Sequence, residues 1–206
     1  MKLGEMTFGA NIKIPERQED DSYKLADYTL GFFGVGVAAL IRKDIHSLCR
    51  FGDSTEYAGS DLDKRMTEIY NSYPDEFKEL IIPCTIPLYN GSGAEDITRK
   101  VFAPTLTMVG GGDNNGVDEG FTWPIFTGSN SCKKTFNGSA AYWWLSSRYS
   151  SDNAWFVLTD GSYNLSYPSS AFGVVPAFVI PQSVQIDDTP DNDGSYRLTE
   201  LQSYCS

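Results

Sequence analysis

The sequence predicts a loop-rich α+β domain of mixed β-strands, two helices and long loops. Three observations carry that reading. A chain of 206 residues is long enough to bury one core without metals or disulfides. A composition of 41% hydrophobic and 14% aromatic residues, with 19 Gly and 10 Pro, favours short strands and frequent turns over long helices. Strong helical periodicity, finally, is confined to one region near residues 60–81.

Residues 1–50 read as strands joined by polar turns. Their apolar run Leu30–Ile41, interrupted by Gly31, Gly34 and Gly36, reads as a buried strand or as two strands meeting at a glycine turn. Ser60 fits a helix N-cap with Asp63 three residues on, and Leu62, Met66, Ile69 and Tyr73 recur at helical spacing until Pro74 ends the helix. A second short helix is expected over Pro74–Ile81, where Asp75 and Glu76 suit the positive end of the helix dipole and Phe77, Leu80 and Ile81 face inward. Core strands are expected at Ile82–Ile86 and Lys100–Val109, separated by the turn NGSGAEDITR. GGGDNNG, residues 110–116, reads as a turn cluster; it lacks the Lys-Ser/Thr ending of a phosphate loop. The acidic run DDTPDNDG has the wrong spacing for a calcium loop and reads as a solvated turn, so residues 187–206 are expected to be a tail or hairpin appended to a domain of residues 1–186.

Composition also limits function. A net charge of −11 repels polyphosphate, and no basic stripe overrules it, so nucleic acid is not an expected partner. No apolar run reaches the ~20 residues of a membrane helix, and the N-terminus lacks the apolar core of a secretion signal. Cys49, Cys84, Cys132 and Cys205 lie far apart, without metal-knuckle or redox spacing, and read as free thiols of a reducing cytoplasm. The single histidine, His46, has no nucleophile motif beside it and reads as a surface or capping residue. No catalytic set, metal or cofactor is expected. Three Asn-x-Ser sequons, at Asn90, Asn137 and Asn164, carry little meaning in that compartment.

The most informative stretch is Ser146–Phe178, SSRYSSDNAWFVLTDGSYNLSYPSSAFGVVPAF. It follows the apolar run Tyr142, Trp143, Trp144, Leu145, yet nearly half of residues 146–172 are Ser, Tyr or Asn. Tyrosine gives large contact area at low entropic cost and Ser and Asn give adaptable hydrogen bonds, the mixture used by antibody loops. A skeleton interrupts the mixture: Ala154, Trp155 and Val157 on a strand, a hairpin turn at Asp160-Gly161, and an apolar return strand through Pro176, Ala177 and Phe178. Tyr149, Phe156, Tyr163, Tyr167 and Phe172 either complete a core or form a contact surface. Strict alternation sets Phe156 and Leu158 opposite Trp155 and Val157, so either a second layer covers them or they form an exposed apolar patch.

The motifs YWWLSSR, AWFV, TDGS and FGVVPAFVIP, preceded by LIRKDI, YAGSDLDKRM, KVFAPTLTMVG and NGSAAYWWL, resemble a family of C-type-lectin-fold proteins found in phages and prophages. Its usual signature runs WWLRSP, AW-x-V, SDGS and GVRPA. The resemblance covers most of residues 1–186 and implies a C-type lectin-like fold, one also shared with formylglycine-generating enzymes. In many such proteins a diversity-generating retroelement rewrites codons between fixed scaffold residues. Carried over by position, the variable, ligand-binding set is Arg148, Tyr149, Ser150, Ser151, Asp152, Asn153, Phe156, Leu158, Tyr163, Asn164, Leu165, Ser166, Pro168, Ser169, Ser170 and Phe172. Trp155, Val157, Asp160, Gly161 and Gly173 would be scaffold. Ser146 and Val175 stand where the family commonly has Arg, as lost scaffold ion-pair positions or as further diversified ones.

The resemblance implies a non-enzymatic binding protein on a phage tail, made in the bacterial cytoplasm, whose partners are a bacterial cell-surface protein or glycan and other virion proteins. The alternatives are a structural virion protein that uses the same face for subunit packing and, less favoured, a formylglycine-generating-type enzyme, which requires a cysteine pair. Neither Glu-Pro-Asn nor Trp-Asn-Asp, the motifs of calcium-dependent sugar binding, is present.

Overall fold

In the computed structural model, which describes residues 1–204, the chain is mixed α+β, mostly sheet with few helices. Residues 1–102 supply β1 (Asn11–Arg17), β2 (Tyr23–Phe33), β3 (Val37–Arg42), β4 (Ser47–Arg50), α1 (Asp61–Ser72), α2 (Asp75–Leu80), β5 (Cys84–Tyr89), β6 (Ala94–Arg99) and β7 (Val101–Phe102). After a long irregular segment come α3 (Ser129–Cys132), β8 (Thr135–Phe136), β9 (Ser139–Ala140), β10 (Trp143–Arg148), β11 (Ala154–Val157), β12 (Tyr163–Ser166), β13 (Ala171–Val174), β14 (Ala177–Pro181) and β15 (Tyr196–Arg197).

Six strands in the order β15-β1-β2-β3-β14-β7 form the larger sheet, and five in the order β12-β11-β10-β13-β4 form the smaller. The two are joined by one pair of segments that hydrogen-bonds in both. β3 and β14 are antiparallel neighbours in the larger sheet, and β4 and β13 are antiparallel neighbours in the smaller. Between them the Arg42 N–H donates to the Pro176 carbonyl and the His46 N–H to the Val174 carbonyl, each at 2.9 Å. The apolar run is the β2–β3 hairpin, turning at residues 34–36.

Both expected helices form. The Ser60 Oγ accepts from the Asp63 N–H at 3.1 Å, satisfying one of the free donors of the first turn, and Leu62, Met66, Ile69 and Tyr73 are buried. Tyr73 then closes the helices onto the larger sheet: its ring packs with Phe77 (5.2 Å) and Phe178 (5.8 Å), and its hydroxyl lies 2.6 Å from that of Tyr28. Tyr28 donates to the buried Glu16 carboxylate, which Arg42 grips through Nε and Nη2 at 2.9 and 3.1 Å, so the node is fully partnered.

Three expectations change. The stretch read as a turn at residues 90–99 contains β6, which pairs Ile97 with Ile86 on β5; only one side of this hairpin is apolar, and its strand period is too short to stand out from sequence. The strand expected over Lys100–Val109 lasts only through Phe102. Pro104 has no N–H to give a ladder, and the Thr105 hydroxyl donates to the Glu119 carbonyl (2.6 Å) and accepts from the Met108 N–H (3.1 Å), so the chain turns while staying buried. The segment expected as an appended tail or hairpin joins the larger sheet, because β15 pairs in parallel with β1 and Leu198 and Leu201 are buried. Cys205 lies outside the described residues. Among those residues no helix is long and apolar enough to cross a membrane.

Replacing Ser60 by Ala removes one cap hydrogen bond and is expected to lower stability by about 1 kcal/mol. In urea denaturation the midpoint falls while the slope stays unchanged; an unaltered midpoint would show that the cap contributes nothing.

Candidate ligand-binding face

The smaller sheet is organised by its middle strand. On β10 the adjacent Trp143 and Trp144 point to opposite faces, as alternation requires, and both are fully buried. Each indole N–H is satisfied by a carbonyl, Trp143 by Cys132 (3.0 Å) and Trp144 by Cys49 (3.1 Å). On the Trp143 face the cross-strand partner is Val157, and Val109 and the last residue of α3, Cys132, lie on that side. On the Trp144 face the partner is Phe156, and Phe172 packs 4.6 Å from Trp144 and 4.5 Å from Phe156. Tyr142 closes this cluster at 5.4 Å from both phenylalanines, and Phe51 packs on Trp144 at 5.4 Å. Ring pairs of this kind contribute roughly 0.5–1.5 kcal/mol each beyond their buried area.

A buried carboxylate fixes the far end of β10. Glu119, fully buried, accepts from the Ser147 hydroxyl, from the Tyr89 N–H (2.8 Å) and from the Asn114 amide (2.9 Å). Burial pushes its pKa above the usual carboxylate range, and those donors oppose the shift. Asn114 relays the network outward: its amide donates to the Arg148 carbonyl (2.6 Å) and its carbonyl accepts from the Trp155 indole (3.0 Å). Asn114 comes from the glycine-rich turn cluster, which composition alone marked only as a turn.

Two loops project beyond this frame. In residues 149–153 the Tyr149 and Ser150 N–H groups donate to the Asn153 carbonyl, and the Ser150 hydroxyl accepts from the Asp152 and Asn153 N–H groups. In residues 167–170 the Ser170 N–H donates to the Tyr167 carbonyl. The segment 51–58 fastens both through backbone acceptors, because the Thr55 hydroxyl donates to the Ser150 carbonyl (2.7 Å) and the Gly52 N–H to the Pro168 carbonyl (3.2 Å). Between the loops lies an open groove of about 340 Å³ lined by Ser151, Asp152, Tyr167, Pro168, Ser169, Arg50, Gly52 and Asp53. Arg50 is held there by Asp61 (2.7 Å) and Asp53 (3.2 Å). A second, more apolar groove of about 400 Å³ follows the edge of the ring cluster at Tyr142, Phe172, Ala171, Leu48 and Phe136.

The expected site residues therefore separate into groups. Tyr149, Ser151, Asp152, Asn164 and Ser169 are exposed. Ser150, Asn153, Leu158, Leu165, Ser166, Pro168, Ser170 and Phe172 are half-buried. Phe156 is only 5% exposed, so it is a core residue and not a displayed one: neighbouring rings of its own face close over it. Tyr163 shows part of its ring, but its hydroxyl donates inward to the Val109 carbonyl and lies 3.4 Å from the Cys132 Sγ, which makes it an anchor. Arg148 turns away from the groove, donating from Nε to the Ser150 carbonyl and from Nη1 to the Asn90 carbonyl. Tyr167, left outside the expected set, is 66% exposed and forms a wall of the groove; its place before a proline in a serine-rich turn was the available signal.

The residues expected as scaffold have local reasons. At Gly161 φ is +84°, and a Cβ would overlap the Ser129 carbonyl oxygen. At Gly173 a Cβ would come within 2.8 Å of both the Ile45 side chain and the Tyr142 carbonyl. Ser146 and Val175 are buried, and the Ser146 hydroxyl donates to the Ala103 carbonyl at 2.9 Å, so neither stands on the displayed surface.

Reactive groups lie elsewhere and are quiet. His46 is held by Ser47 (3.0 Å), and burial lowers its pKa. The described cysteines are free thiols; burial raises the pKa of Cys49 to about 11 and also raises those of Cys84 and Cys132. Among the described residues no three His, Cys, Asp or Glu side chains converge as metal ligands.

Glu119→Ala leaves the Tyr89 N–H without its acceptor and takes one bond each from the Ser147 hydroxyl and the Asn114 amide, which keep their bonds to the Leu106 N–H and the Arg148 carbonyl, and is expected to cost about 3 kcal/mol. Amide exchange at Tyr149 and Ser150 should accelerate in the same variant; unchanged exchange there would dissociate the network from the loop.

No curated protein and no solved structure matches this chain. Residues 36–182, from β3 to β14, fit a domain of unknown function, DUF6273, and the chain belongs to that family.

Proposed function

We propose that this is a non-enzymatic ligand-binding protein whose contact surface is the groove between loops 149–153 and 167–170 together with Asn164, the exposed position of β12. One observation carries this reading. The bonds that fasten the loops to segments 51–58 and 114–115 end on main-chain atoms, the carbonyls of Arg148, Tyr149, Ser150 and Pro168, so this fastening does not depend on which side chains the loops carry, although the Ser150 hydroxyl adds bonds within its own loop. Tyr149 and Tyr167 supply aromatic contact area, and Ser151, Asp152, Asn164 and Ser169 supply polar groups around them.

The resemblance takes the reading further: a C-type lectin-like scaffold whose face is rewritten by a diversity-generating retroelement, carried on a phage tail and directed at a bacterial surface protein or glycan. Repetition on one particle would turn weak single contacts into avid binding. The apolar groove at Tyr142, Phe172 and Leu48 favours a second reading, a structural virion protein that seats a neighbouring subunit there. An enzyme of the formylglycine-generating type is disfavoured by thiols whose pKa values burial has raised, since such a site needs a readily ionised cysteine.

A Tyr149→Ala/Tyr167→Ala double variant should keep the wild-type melting temperature within about 2 °C. Fluorescently labelled wild-type protein should mark at least one strain in a panel of intact bacteria, and the double variant should not. Equal marking by both proteins, or loss of folding in the variant, would refute the assignment. Phe156→Ala should instead cost about 3–5 kcal/mol, as a truncation inside a ring cluster.

A further inference from the structure

Away from the displayed face, the fold assembles a basic cavity that sequence separation conceals. Lys43, from the turn after β3, and Lys133 and Lys134, after α3, line one cavity of about 240 Å³ whose apolar wall is Ile41, Ile125 and Phe126. The chain has 16 basic residues against 27 acidic ones, yet no carboxylate lines this cavity. Among the described residues none of the three lysines makes an ion pair.

Lys134 is the structural member. It is buried, its ammonium donates to the carbonyls of Arg42 (2.6 Å) and Lys43 (2.9 Å), and it sits 5.7 Å from the centre of the Trp143 ring. Lys43 and Lys133 are exposed at the mouth. Burial lowers the pKa of Lys134 to about 7; Asp44 and Cys132 favour its charged form and Arg42 opposes it. Asp44 itself accepts from the Thr135 hydroxyl at 2.8 Å. An anion entering the cavity would restore the proton to Lys134.

We propose that this cavity binds a small amphiphilic anion, an oxyanion head held by Lys43, Lys133 and Lys134 with a short apolar body against Ile41, Ile125 and Phe126. The cavity lies below the roughly 300–1,000 Å³ of sites for drug-sized ligands, which sets the ligand's size. The site is independent of the groove and of any ligand bound there.

The test is titration calorimetry of the full chain with hexanoate, inorganic phosphate and 1-hexanol. Hexanoate should bind saturably, phosphate should compete with it, and hexanol should bind at least about tenfold more weakly, a loss of roughly 1.4 kcal/mol. Lys43→Gln/Lys133→Gln alters only exposed residues and should weaken hexanoate by a similar factor. At about pH 8, where the wild-type Lys134 is largely neutral, hexanoate binding measured in two buffers of different ionisation enthalpy should show proton uptake, and Lys134→Met should abolish it. Equal affinity for hexanoate and hexanol, unchanged hexanoate binding in the double variant, or no proton uptake by the wild type would overturn the assignment.

Discussion

Everything in the smaller sheet depends on two neighbouring indoles pointing in opposite directions. A strand with a tryptophan buried on each face has no solvent side, so layers must form above and below β10 before it can exist. Below, residues 105–134 supply Val109 and Cys132; above, Phe51, Phe156, Phe172 and Tyr142 supply rings. Once these are in place, neither indole can turn without breaking a hydrogen bond to a carbonyl outside its own sheet strand. The loops that follow inherit a fixed origin.

Glu119 extends that rigidity where the ladder stops. β10 and β11 lose register between Trp144 and Arg148, so main-chain pairing alone does not define the exit from β10. The carboxylate and Asn114 substitute side-chain bonds for the missing ladder and reach from the β5 hairpin to Trp155. A buried acid is costly unless fully partnered, and here every buried side-chain polar atom among the described residues has a partner.

Much of this was legible in the sequence, for identifiable reasons. Helix α1 announced itself because its cap and its apolar stripe agree; the glycine-broken apolar run allowed one buried strand or two strands meeting at a glycine turn, and the second is the β2–β3 hairpin. The serine- and tyrosine-rich composition located the loops that border the groove. What composition could not supply was which aromatic faces inward. Phe156 and Tyr167 look equally suited to contact, yet one is closed over by rings from β10 and β13 and the other stands clear beside Pro168. Long-range juxtapositions were invisible for the same reason: Asn114 meeting Trp155, and Lys43 meeting Lys133 and Lys134, exist only after the chain has closed on itself. The parallel pairing of β15 with β1 is of this kind as well.

The segment 51–58 touches one loop through Gly52 and the other through Thr55. It works as a spacer bar, with the gap between the opposing walls set by the few residues between those attachment points and not by the walls themselves. Aperture is therefore inherited from this segment, which also lines the groove floor with Gly52 and Asp53, while the rest of the lining chemistry comes mostly from the loops. A change in the bar resizes what fits, and a change in the walls alters what is preferred.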